Sequence, residues 1–134
     1  MIPSTNTILS SDLEVVKQPS KNYRMHIDRN IVNGSCDSLE AMKQVVYKIL
    51  NTERYQHIIY SWDYGIELMD LFGEPVAYVC SELQRRITEA LVQDDRIDSV
   101  DDFEFDVSEK RTVKAIFTVH TSFGDLESEK VVNF

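Results

Sequence analysis

Basic residues are scarce in this chain: 14 Lys and Arg stand against 23 Asp and Glu, leaving a formal net charge of −9 at pH 7. A surface of that sign repels phosphate backbones and anionic lipid, so neither nucleic acid nor membrane is an expected partner. No apolar run approaches the roughly 18 residues that a membrane-spanning helix needs. No Lys or Arg precedes Lys17 to open a signal peptide, so the chain reads as one made and kept in a cytosol. Cysteine is nearly absent. Cys36 and Cys80 are far apart and lack the C-x-x-C spacing of a zinc ribbon or redox centre, and both are read as buried free thiols. His26, His57 and His120 have no HxxxH or HxxH spacing, and no P-loop, GxGxxG or GxSxG string occurs. No metal, cofactor or nucleophilic centre is therefore expected. Four Gly and three Pro are too few for a low-complexity chain.

What is present is ordinary globular material: 134 residues, 43% hydrophobic and 28% charged, enough for one domain. Residues 1–22 are rich in Ser, Thr and Asn and are expected to form an arm, either flexible or ordered by a partner, ahead of a single domain over residues 23–134. Tyr23, Met25 and Ile27 alternate with Arg24, His26 and Asp28, the period of a half-buried strand, and Asn33-Gly34 is expected to turn the chain. A helix is expected from Ser38 to Leu50, with Asp37 as N-cap, Glu40 completing a capping box, and Leu39, Met42, Val46 and Ile49 on its buried face. Ile58 to Tyr60 is read as a short strand and Glu67 to Phe72 as a short helix stopped by Gly73. Pro75 opens a long core helix with Val76, Val79, Cys80, Leu83, Ile87, Ala90 and Leu91 on one stripe. Glu82, Arg85, Arg86 and Glu89 form a charge lattice on its other face.

After Ile97 the period drops to two. Phe103, Phe105 and Val107, then Val113, Ala115, Phe117 and Val119, then a run from Leu126 to Val132, predict a three-stranded antiparallel meander. The fold class is thus α+β: two main helices and a short one packed on a C-terminal meander, with a short N-terminal strand.

The densest charge lies between Asp94 and Glu109, where eight acids face Arg96 alone. The segment contains no Gly for the sharp turn of a calcium loop, and a solvated strand face or a contact with a basic protein surface fits it better. Glu53, Asp63, Glu67, Asp70 and Glu74 share a segment with Tyr55, Tyr60, Trp62 and Tyr64. A carboxylate pair across an aromatic groove is the arrangement of a glycosidase, although in so acidic a chain pairs arise by chance and such aromatics also complete cores and interfaces.

Three strings are more specific. Tyr47 to Tyr55 (YKILNTERY), Tyr64 to Leu68 (YGIEL) with Asp70 to Gly73 (DLFG), and Leu91 to Asp98 (LVQDDRID), in this element order, resemble the sheath-initiator or inner-baseplate wedge proteins. These belong to contractile phage tails, phage-tail-like bacteriocins and type VI secretion systems; the branch of PBSX-like defective prophages is the nearest in pattern. The resemblance covers about residues 20–134. It implies a non-enzymatic virion-assembly protein in a tail or tail-like particle. Its expected partners are baseplate wedge proteins, the tail sheath protein, and tube or hub proteins. The family's acid-Pro-Arg motif falls on Asp94, Asp95 and Arg96, with Asp95 in place of the proline. The resemblance implies that Arg96, oriented by Asp94, docks this corner into the wedge; a local salt bridge ending the helix is the alternative. Tyr64, Gly65 and Phe72 are expected at partner contacts for the same reason. It further implies that residues 112–133, with Phe117 and Val119, offer a sheet edge to which a sheath strand adds. Some relatives have carried a lysozyme label, so a peptidoglycan-cleaving tail enzyme is the second reading and an acidic regulatory adaptor the third.

Overall fold

The computed structural model describes residue 16 and residues 19–134. The arm expected over residues 1–22 lies mostly outside them, but its described end is tied to the domain. Ser20 is buried, bonds the Asp37 carboxylate and accepts the Ser38 amide at 3.2 Å, while the Pro19 carbonyl accepts from Arg96 at 3.2 Å.

The chain then runs through β1 (Asn22–His26), β2 (Ile31–Cys36), α1 (Ser38–Leu50), a single 3-10 turn (Met69–Leu71), α2 (Val76–Val92), β3 (Ile97–Asp106), β4 (Thr112–Thr121) and β5 (Gly124–Asn133). This is the α+β architecture that the periodicities predict. β3, β4 and β5 form an antiparallel sheet in that order, and β1 and β2 a separate hairpin. Both helices pack on one face of the sheet. Val113, Ala115, Phe117 and Val119 of β4 are fully buried against Met42, Val46 and Ile49 of α1 and Val79, Leu83, Ile87 and Leu91 of α2. At roughly 1.5–3 kcal/mol for each large aliphatic, this burial outweighs the surface pairs Arg85–Glu82 and Arg85–Glu89, worth about 0.2–0.5 kcal/mol each.

Several local expectations are corrected. Asn33-Gly34 does not turn the chain; the turn is at Ile27–Asn30, where Asn30 takes a φ of 54° and Arg29 N bonds His26 O at 3.2 Å. Gly34, at φ 71°, instead falls where β2 uses one residue more than β1, between Tyr23↔Ser35 and Met25↔Val32. A glycine in the left-handed region is what such a bulge requires. The capping box does not close: Asp37 caps Ser38, whereas Glu40 pairs with Arg24 at 2.8 Å. Pro75 is the N-cap of α2 rather than its first residue, and Val76 is exposed. Cys36 is buried but Cys80 only half-buried, and burial pushes its thiol above the ordinary range. Ile58 to Tyr60 forms no strand, and the Glu67–Phe72 helix contracts to the 3-10 turn, because the Glu53 carboxylate takes the Leu68 and Met69 amides and Phe72 is extended.

Candidate functional site

The β4–β5 hairpin closes at Thr121↔Gly124 around Ser122-Phe123, and its ten residue pairs run to Thr112↔Asn133 without a bulge. A pair closing a two-residue loop exchanges both of its backbone bonds. The alternation that follows turns the amides and carbonyls of Leu126, Ser128, Lys130 and Val132 toward β4, and those of Asp125, Glu127, Glu129 and Val131 outward. Among the described residues no strand lies beyond β5, so the outward row has no ladder partner. Grooves follow this edge along its length. One of about 440 Å³ lies between Leu126 to Glu129 and the wall made by Met25, Ile27, Lys43 and Tyr47. The other, about 530 Å³, lies between Lys130 to Asn133 and Leu68, Met69 and Phe72. Lys130 reaches across to the C-cap of α1, bonding Asn51 Oδ1 at 3.1 Å.

The opposite edge is of another kind. β3 slips register at Ile97/Ser99 and again at Asp101/Glu104, where Asp102 sits at φ 53°. It also carries Asp98, Asp101, Asp102, Glu104 and Asp106. Bulges and like charges are the two usual devices that keep a neighbouring strand off an edge.

The segment between Thr52 and Ile66 is a closed loop. Ile66 N bonds Thr52 O at 3.0 Å and Arg54 N bonds Ile66 O at 3.2 Å, forming the parallel bridge Glu53↔Ile66. Gly65 is buried in this neck at φ 95°, with Arg54 Nη2 on its carbonyl at 3.2 Å. Tyr64 is half-buried and stacks on Tyr60 at 4.3 Å between ring centroids; burial raises its phenol above the ordinary range, helped by Tyr60 and Asp94. On this base the loop presents Ile58, fully exposed, with Ile59 and Trp62 exposed to 87% and 82%. So much exposed apolar surface on a loop with a hydrogen-bonded base makes it a candidate interaction surface.

At the end of α2, Asp94 and Arg96 form a bidentate pair, Nε to Oδ1 at 2.9 Å and Nη2 to Oδ2 at 2.7 Å. Burial pushes the Asp94 carboxyl up, but the Arg96 bonds outweigh it and hold it below its usual range. The Arg96 carbonyl accepts the Ser122 amide at 3.0 Å, so this corner also anchors the β4–β5 hairpin. Within the isolated chain the pair is therefore the local, helix-ending salt bridge, with Arg96 engaged by Asp94 and Pro19.

On the outer face of the sheet His120 bridges all three strands, Nε2 to Asp101 at 2.8 Å and Nδ1 to Asp125 at 2.7 Å. Both carboxylates raise its pKa, Asp125 first. A raised folded-state value stabilises the fold fully below the unfolded pKa of about 6.5, and the gain is lost as pH rises through the folded value. Urea midpoints measured from pH 6 upward should fall over that window in the wild type, and the His120→Gln variant should lose this component.

Of the residues expected at partner contacts, Tyr64 lies near enough to Asp94 to feel its charge, Gly65 sits in the loop neck past the C-terminus of α1, Asp94 and Arg96 form the pair at the C-terminus of α2, and Phe72 is exposed beside the β5 groove. Phe117 and Val119 are a correction: both are fully buried on β4, the middle strand, whose backbone is used on both sides. They build the core and their side chains do not reach the surface. Three of the five carboxylates considered for glycoside cleavage have structural tasks. Glu53 caps the 3-10 turn, Asp70 is held by Arg86, and Asp63 by Ser61. Arg86 and Ser61 respectively keep Asp70 and Asp63 below the usual carboxylate range, opposite to what a general acid needs. Trp62 is among the aromatics the sequence offers to a groove or interface, whereas Ile58 and Ile59 read as a strand; the signal for a displayed loop is the apolar pair Ile58-Ile59 followed by Trp62 between the polar Ser61 and Asp63, without a strand's alternation.

The family model described as contractile injection system sheath initiator matches residues 6–124 of the chain. The chain is also 40% identical over 128 residues to the phage-like element PBSX protein XkdS of Bacillus subtilis (strain 168), covering 90% of each.

Proposed function

The chain belongs to the sheath initiators of contractile injection systems, structural components of contractile tails, and from that membership we propose that β5 is the edge on which the tail sheath begins. The observation that supports it is the regular, bulge-free β5 with its outward amides opening into grooves along its length. A sheath strand placed there gains backbone hydrogen bonds, while the side-chain alternation sets its register. The helical half docks into the baseplate wedge, and the apolar loop carrying Ile58, Ile59 and Trp62 is the anchor. Large aromatic and aliphatic side chains at the centre of an interface carry most of its binding energy.

The test is Val131→Pro. The Val131 amide points away from β4, so proline, which is tolerated on edge strands facing solvent, removes a donor for the incoming strand without breaking the ladder. The variant should fold, with an unchanged circular dichroism spectrum, and should enter baseplates. Electron microscopy should then show at least about a tenfold drop in sheathed tails, since one lost bond and the proline ring act against every docking event. Sheath of normal length and number on such baseplates overturns the proposal.

A further inference from the structure

Building on β5 as the acceptor edge, we infer that the segment it receives alternates basic with apolar residues, Lys or Arg on the solvent side and large apolar side chains on the helix side. Successive residues of an added strand fall on opposite faces of the sheet, so the two sides of β5 impose separate demands. On the solvent side the neighbours are Asp125, which His120 holds, Glu127, Glu129 and the exposed Val131. Glu129 is shared with Lys114 at 2.9 Å, whereas Glu127 has no ion pair among the described residues, and Glu104 and Asp106 on β3 extend the same negative field. An acidic or neutral strand would leave these carboxylates uncompensated, and cross-strand pairs of opposite charge favour a basic one. On the helix side the wall changes character. Leu126 and Val132 face the core, with Ser128 and Lys130 between them on the same side; Met25, Ile27 and Tyr47 line one groove together with Arg24, Glu40, Lys43 and Gln44, and the other holds Leu68, Met69 and Phe72, the last 63% exposed. Apolar side chains on this side cover the exposed surface of Met25, Ile27, Tyr47, Met69 and Phe72, and a large one enters the cleft beside Phe72.

The partner is thus an extended segment of another chain with a basic-apolar alternation, and the probes are the capped peptides KVKIKFKV and EVEIEFEV, added to the full-length protein. Amide hydrogen exchange should slow at Glu127, Glu129 and Val131 with KVKIKFKV, which should bind about tenfold more tightly than EVEIEFEV at low salt, a margin that shrinks as salt screens it. The double variant Glu127→Lys, Glu129→Lys should reverse the order. Equal or tighter binding of EVEIEFEV with protection still at β5 overturns the basic pattern and leaves β5 as the acceptor. Protection by both peptides at β3, or none at β5, overturns the acceptor reading itself and the inference with it.

Discussion

Replacing Phe117 by alanine should cost about 3–5 kcal/mol of folding stability, the range for a buried aromatic truncated in a core. Phe117 is the largest fully buried side chain among the described residues, it sits on the middle strand in the core that both helices share, and it stacks on Phe103 at 5.4 Å between ring centroids. Little around it can collapse into the space. β4 is hydrogen-bonded on both sides and cannot shift without losing pairs on one of them. For a domain of this size the loss corresponds to a fall in melting temperature on the order of 10 °C or more, readable by calorimetry. The same measurement separates a core role from a partner-binding one. A residue kept for contact with the sheath would leave the isolated chain's stability unchanged on truncation and weaken assembly alone.

Gly65→Ala should be the second large effect. At φ 95° an L side chain costs about 1–3 kcal/mol in backbone strain alone. The added Cβ would also lie 2.6 Å from the Thr52 carbonyl oxygen and 3.2 Å from the Arg54 amide, both backbone atoms that no rotamer change can move aside. Relief requires opening the neck, which gives up the Ile66–Thr52 bond for about 1 kcal/mol more. The total is about 2–4 kcal/mol, and it falls on the loop rather than on the sheet. Hydrogen exchange should speed up at Arg54 and Ile66 while the β4–β5 ladder keeps its protection. If the loop anchors the protein in the wedge, the variant should lose incorporation into baseplates yet still accept a strand on β5. An unchanged exchange rate at Ile66 would show that the neck tolerates a side chain and that the loop is held by something else.

These two positions show what can be read along a chain and what cannot. The bounds of α1, from Ser38 to Leu50 with Asp37 as cap, were legible because capping and a 3.6-residue apolar period are local properties. The three C-terminal strands were legible because a two-residue apolar alternation is equally local. The Asn33-Gly34 pair misled, since a glycine in the left-handed region serves a bulge as well as a turn, and only pairing with β1 distinguishes them. Ile58 to Tyr60 misled because a run of apolar residues has the same composition whether it is paired in a sheet or displayed on a loop.

The choice of Phe117 and Val119 as edge residues failed for a deeper reason. The most regular alternation belongs to the strand with neighbours on both sides, so the strongest strand signal marks the middle of the sheet and not its margin. By itself the sequence determined the two main helices, the three C-terminal strands, the net negative charge and the family. Tertiary structure alone decided that β5 has no strand beyond it among the described residues, that β3 carries bulges and carboxylates along its edge, and that Gly65 closes the neck of an exposed apolar loop. Helices and strand periods follow from neighbours a few residues apart, whereas an edge is defined by which segments, distant in the chain, are not beside it.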